Sequence, residues 1–164
     1  MYKNDANIKI MRTKSNGGSF KMRIDKKIEI ESNPKRIFDI VSDGENTPRW
    51  NIALDEVIEK EEGQKFLLKS TIGDILIVDT DSVENEHITW HMEKSDMNSI
   101  GYIVEPKGDL TEVTIWTEFE NEKLRKGYEK TADLVLKSLK NYVDFIEEGG
   151  DPEDFDKKQL MVSS

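Results

Sequence analysis

Two histidines, two aspartates, one glutamate and one tyrosine are the residues of this chain whose types and spacing admit chemistry. His87 and His91 are its only histidines. Four apart on a helix they would suit a shared metal ion. Ile88, Trp90 and Met92 alternate with polar residues, however, and that period predicts a strand. At ~3.3 Å per residue the two rings would stand roughly 13 Å apart on one solvent-facing side, so they cannot hold one ion. No metal site is expected. Asp79 and Asp81 lie at same-face spacing, and Asp79 is nearer the apolar run Ile75-Leu-Ile-Val. Of the two it is the better placed for burial, which would raise its carboxyl pKa and suit it to general acid–base work. Glu118, on a face with Trp116 and Thr114, is a further acid candidate. Tyr102, on the face with Ile100 and Val104, would offer a phenol to a ligand oxygen or to a backbone carbonyl. For the carboxylates a solvent-facing polar row is the simpler reading and is preferred.

Other chemistries find less support. The chain has no cysteine, which excludes disulfides, thiolate metal sites and cysteine nucleophiles. No serine sits in a nucleophile elbow. Gly17-Gly18 and Gly149-Gly150 lack the strand-then-helix setting of a phosphate loop, and no cofactor is expected. The formal net charge of −10 opposes nucleic-acid binding, where Lys and Arg must neutralise phosphates. It also disfavours adhesion to anionic membranes. No apolar run approaches the roughly 20 residues a bilayer span needs, and residues 1–7 lack the apolar core of a signal peptide. A cytoplasmic location is the expectation.

The elements that must position these residues follow from periodicity. The 164 residues suit one domain. Residues 1–19 end in Ser15-Asn-Gly-Gly-Ser and read as a flexible arm, with an extra edge strand over 8–12 not favoured. Phe20, Met22, Ile24, Ile28 and Ile30 share one parity and predict the first strand. Lys26 interrupts that series and predicts a bulge or sheet end there. Asn33 is a helix cap and Pro34 fits the first helical position, because its missing N–H would be unpaired there anyway. A short helix to Val41 follows, then a second short helix or turn at residues 47–50. Six more strands follow at hairpin spacing, over about 55–60, 65–71, 75–83, 87–94, 100–105 and 111–120, with no helix between them. From Asn121 to Glu148 the residues Leu124, Tyr128, Ala132, Val135, Leu139, Tyr142, Val143 and Ile146 form one stripe of a long amphipathic helix, stopped by Gly149-Gly150. Residues 149–164 read as a solvated acidic tail, and Phe155 and Leu160 are not required to pack back. The fold class is α+β, with a seven-stranded antiparallel sheet covered by the last helix.

The segment from Ile28 to Asp43, with Trp50 seven residues on, resembles the opening of the START/Bet v 1-like (SRPBCC) superfamily, close to its polyketide cyclase/dehydrase-type members. Residues 102–109, Thr111-Glu-Val-Thr-Ile and Phe119 are similar to later parts of the same pattern. The resemblance spans about residues 20–147. It implies a helix-grip fold, in which the sheet bends around the C-terminal helix and a hydrophobic cavity lies between them. Within that fold Phe38, Trp50, Phe66, Trp90, Tyr102, Trp116 and Val135 are the expected ligand-binding residues. The preferred function is a carrier or sensor for a small hydrophobic or amphipathic molecule. One alternative is a cyclase/dehydrase-type enzyme acting on a carbonyl compound, with Asp79, Tyr102 and Glu118 as candidate catalytic groups. The other is a co-chaperone-like module whose acidic surface meets a protein partner.

Overall fold

The computed structural model describes residues 10–14, 20–62 and 64–162. Residues 1–9 and 15–19, with the linker glycines, lie outside the described residues, as does Gly63 of one expected turn. The strands are β1 (Ile10–Lys14), β2 (Phe20–Ile30), β3 (Leu54–Glu61), β4 (Lys65–Ser70), β5 (Gly73–Val83), β6 (His87–Glu93), β7 (Met97–Lys107) and β8 (Leu110–Phe119). The helices are α1 (Pro34–Ser42), α2 (Thr47–Trp50), α3 (Arg125–Glu147) and α4 (Lys157–Val162). Strands β2–β8 are the seven expected, antiparallel throughout, in the order β2-β8-β7-β6-β5-β4-β3. The long C-terminal helix α3 lies mainly on β2 and β8. This is the α+β helix-grip architecture.

Local chemistry accounts for the boundaries. The Asn33 side chain accepts a 2.8 Å hydrogen bond from the Arg36 N–H and Pro34 opens α1, so both features of that cap are in place. Chain reversal after α3 runs through Gly149 at φ +94, a backbone region that suits glycine. At Gly150 the Phe145 ring leaves no room for a side chain, since a Cβ there would stand 2.5 Å from it.

Three expectations change. The arm contributes a strand: β1 pairs with the outer edge of β2, so the sheet gains an eighth member where a free arm was expected. No bulge occurs at Lys26, which pairs regularly with Ile115. Its Nζ reaches Asp133 of α3 at 3.5 Å, so the stem covers apolar surface while the charge finds a partner at the helix. The segment after α3 is docked and not simply solvated. Phe155 packs edge-on against Tyr142 at 5.0 Å, and Lys157 Nζ donates to the carbonyls of Pro48, Asn51 and Leu54 at 2.5, 2.8 and 2.7 Å. The Leu160 side chain lies outside the described residues.

The core falls into two clusters. The larger joins α1, α3, β2, β7 and β8 and includes Ile30, Val113, Phe119, Leu139 and Val143, all fully buried. The smaller contains Ile75, Ile77 and Met97, with Phe66 and Leu68 against it. Trp90, Ile100 and Tyr128 touch both.

Candidate functional site

Between the clusters lies a cavity of about 640 Å³ that opens to solvent, within the size range of small-molecule sites. Its wall is the concave face of β3–β8, closed by Val41 of α1 and by Thr131 and Val135 of α3. Most of that wall is apolar, through residues such as Phe66, Ile77, Trp90, Met92 and Ile100. The opening is marked by lining residues that are also exposed: Gly44, Glu45, Glu59, Ile72 and Thr80.

Irregular strand pairing decides which side chains face this space. A register shift between Ile77 and Asp79 on β5 inserts one residue, and another between Met97 and Ser99 does so on β7. A bulge bends a strand and inverts the side-chain parity beyond it. Ile75 and Ile77 therefore point inward, Thr80 follows them, and Asp79 and Asp81 turn to the convex face. On β7 the same device turns Ser99 outward and keeps Met97, Ile100 and Tyr102 inward.

Tyr102 is the main polar group deep in the wall. It is 5% exposed, its ring meets Trp90 edge-on at 5.9 Å, and among the described residues nothing hydrogen-bonds to its hydroxyl. Burial holds its phenol well above the ordinary pKa, so it enters any ligand chemistry as a neutral O–H.

Four of the seven residues expected to bind a ligand line the cavity: Phe66, Trp90, Tyr102 and Val135. Three do not. Phe38 is packed in the larger cluster. Trp50 is also in that cluster, 1% exposed, with no acceptor for its indole N–H among the described residues. Trp116 lies on the convex face, opposite Asp25 and Gly101 in the ladder, with the Arg23 guanidinium 4.5 Å above its ring. A Cβ on Gly101 would stand 2.6 Å from the Trp116 ring, so the indole fills the place of the missing side chain.

The acid candidates separate in the same way. Glu118, paired across the ladder with Arg23 and Ser99, shares the convex face with Trp116. Asp79, for which the solvent-facing reading is preferred, is exposed on that face beyond the β5 bulge. The bulge also builds a group that the spacing of the two histidines did not suggest. His91 receives Asp81 at Nε2, 3.0 Å away, and Ser99 at Nδ1, 2.9 Å away. One ligand atom each from Asp79, Asp81 and His91 lie within 4.8 Å of one another. This group faces away from the cavity. Sequence reasoning missed most of the lining, Glu59 and Thr80 among it. Glu59 shares parity with Val57, a usable signal, whereas Thr80 depends on a bulge that no residue type announces.

The bent antiparallel sheet, the long covering helix and the cavity between them make up a helix-grip fold. Solved structures share this fold. A START superfamily protein from Mycobacterium smegmatis superposes with a TM-score of 0.65 at 20% identity, covering 76% of this chain and 98% of that one. The Aha1 dimer from Colwellia psychrerythraea gives 0.59 at 16% identity, covering 73% and 93%. The di-domain ARO/CYC protein BexL gives 0.64 at 16% identity, and this chain spans 47% of its length. No family model and no curated protein matches the sequence. At such identities the likeness defines the fold, which hosts many unrelated functions. No helix among the described residues is long and apolar enough to cross a membrane.

Proposed function

We propose that the protein holds a small hydrophobic or amphipathic molecule in the cavity between the sheet and α3, as a carrier or sensor working in the cytoplasm. The observation that carries this reading is an open apolar cavity of about 640 Å³ with an unpartnered Tyr102 hydroxyl in its wall. Apolar surface in contact with water favours an apolar occupant by roughly 25 cal/mol per Å² removed. A hydroxyl in the wall with no protein partner among the described residues favours one polar atom on that occupant. The cyclase/dehydrase-type reading has less support, because Asp79 and Glu118 face away from the cavity and leave Tyr102 alone of the three candidates. A protein-interaction role draws support from the net charge of −10 and from the likeness to Aha1, but no described surface specifies a partner.

Trp90 in the wall provides the readout. Titration with apolar fluorescent probes should quench or shift tryptophan emission in the native chain. Val135→Trp, which fills the space from the helix side, should weaken probe binding by at least about tenfold, the equivalent of 1.4 kcal/mol. Undiminished affinity in a folded Val135→Trp variant would overturn the reading.

A further inference from the structure

The group around His91 on the convex face has the geometry of a cation site, separate from the cavity. His87 and His91 stand too far apart along β6 to share an ion, but the ladder gives His91 other companions. Asp79 lies directly opposite it on β5, and Asp81 follows two residues on, both beyond the bulge. His91 Nε2 is 3.0 Å from an Asp81 carboxylate oxygen. One ligand atom from each of the three side chains lies within 4.8 Å of the other two. Bonds of about 2.0–2.2 Å to a zinc-like ion set neighbouring ligand atoms about 3–3.5 Å apart. The imidazole and Asp81 already meet that spacing, and Asp79 is exposed, so a turn of its side chain closes the remainder.

Two further observations separate this group from an ordinary polar row. The first is the Ser99 hydroxyl, which stands 2.9 Å from His91 Nδ1 in a residue only 7% exposed. Metal-bound imidazoles are oriented in this way, by a partner on the nitrogen that does not face the ion. With the Nδ1 proton donated to Ser99, the Nε2 lone pair is directed at the carboxylates. An arriving cation displaces to solvent any proton that bridges Nε2 and Asp81. The second observation is charge. Neither aspartate has a lysine or arginine partner among the described residues, and Asp79 has no printed contact beyond this group. On the same face, by contrast, Asp25 and Glu118 are both served by Arg23. Two carboxylates so close repel each other, and a cation between them relieves that repulsion. We infer that Asp79, Asp81 and His91 bind a divalent transition ion of the zinc, cobalt or nickel kind, with Ser99 positioning the imidazole. One nitrogen and two carboxylate ligands suit those ions better than calcium or magnesium, which take oxygen ligands. The bound ion ties β5 to β6 beside the bulge and leaves its remaining positions to water.

Zinc titration of the full chain, first stripped with a chelator, tests the assignment. Imidazole proton NMR signals should show His91 shifting and saturating with zinc in the micromolar range. His87, ~13 Å along the strand, is the internal control and should not move. Calcium at the same concentration should leave His91 unmoved. Asp79→Asn keeps the hydrogen bonds of His91 to Asp81 and Ser99, so it probes coordination without threatening the fold. It should weaken zinc binding by at least about tenfold. Ser99→Ala, which removes the positioning partner and no ligand, should weaken it by about tenfold as well. Unchanged zinc affinity in Asp79→Asn would overturn the site, because the two carboxylates would then not act together. Equal shifts of both histidines, or no saturable binding by the native chain below about 1 mM zinc, would overturn it too.

Discussion

The two halves of the sheet are made from similar residues, yet one is closed and the other hollow. Under α3, strands β2 and β8 present Ile24, Ile30, Val113 and Phe119 to Leu136, Leu139 and Val143, and nearly all of this surface is sealed. Beyond the helix, β3–β5 present Val57, Phe66, Leu68, Ile75 and Ile77, of which only the two isoleucines are buried. The difference is one of coverage. A straight helix 23 residues long can lie along two strands of a bent sheet but cannot follow its curvature across the rest. The bulges on β5 and β7 sharpen that curvature. The closed half thus carries most of the buried core, and the open half carries the cavity.

The largest expected effect tests the division directly. Leu139 is fully buried on α3, so Leu139→Ala should cost about 2–5 kcal/mol of stability. Leu68 lines the cavity and is half-buried, and Leu68→Ala should cost about 1 kcal/mol because it enlarges space already present. Chemical denaturation of both variants checks this, and equal midpoints would mean that the halves are not distinct.

Tyr102, at the boundary between the halves, sharpens the comparison through pH. Its folded-state pKa is raised by burial, so the folded chain holds the phenolic proton more tightly than the unfolded chain does. That contribution is fully present below pH ~10, the unfolded value, and is lost as pH rises towards the folded value. Between pH 10 and 11 the native chain should lose about 1 kcal/mol that Tyr102→Phe does not lose, because the unfolded phenol is already half ionised at the lower pH. Parallel urea melts at the two pH values measure the difference, and identical losses would place the phenol in contact with water.

The smallest effect concerns the clamp at the cavity rim. Lys157→Gln removes an ammonium that donates to three carbonyls of the α2–β3 connection, so it should cost about 1 kcal/mol. It should also increase amide hydrogen exchange at residues 51–54 more than anywhere in β2 or β8. Uniform exchange across the sheet would show that the clamp does not act locally.

Much of this architecture is determined by local rules that a sequence carries openly. Alternation specifies β2–β8, the Asn33-Pro34 pair starts α1, and a stripe of three- and four-residue steps specifies α3, because each depends only on neighbours along the chain. Even so, Ser138 escaped notice. It is fully buried on α3, where its hydroxyl donates to the Val135 carbonyl at 2.9 Å and accepts from the Ile52 N–H at 3.3 Å. A serine at that position has no apolar signature, and its partner lies 86 residues away.

Four of the seven expected ligand residues were legible in the same way. Phe66, Trp90, Tyr102 and Val135 reach the cavity because parity and helix face place them there. Phe38, Trp50 and Trp116 show that an aromatic residue on the right element still needs the right neighbours: Trp116 covers Gly101 from the convex side, a cross-strand relation set by the β7–β8 register. Asp79 went outward and Thr80 inward because one extra residue on β5 inverted the parity after Ile77. Covalent geometry and short-range spacing were enough to specify β2–β8, α1 and α3, their order and the faces of their regular segments, but not β1 or α4. Tertiary structure alone decided the bulges, the docking of Lys157, the second core cluster and the cavity opening, because each arises from packing between segments that are distant in the chain.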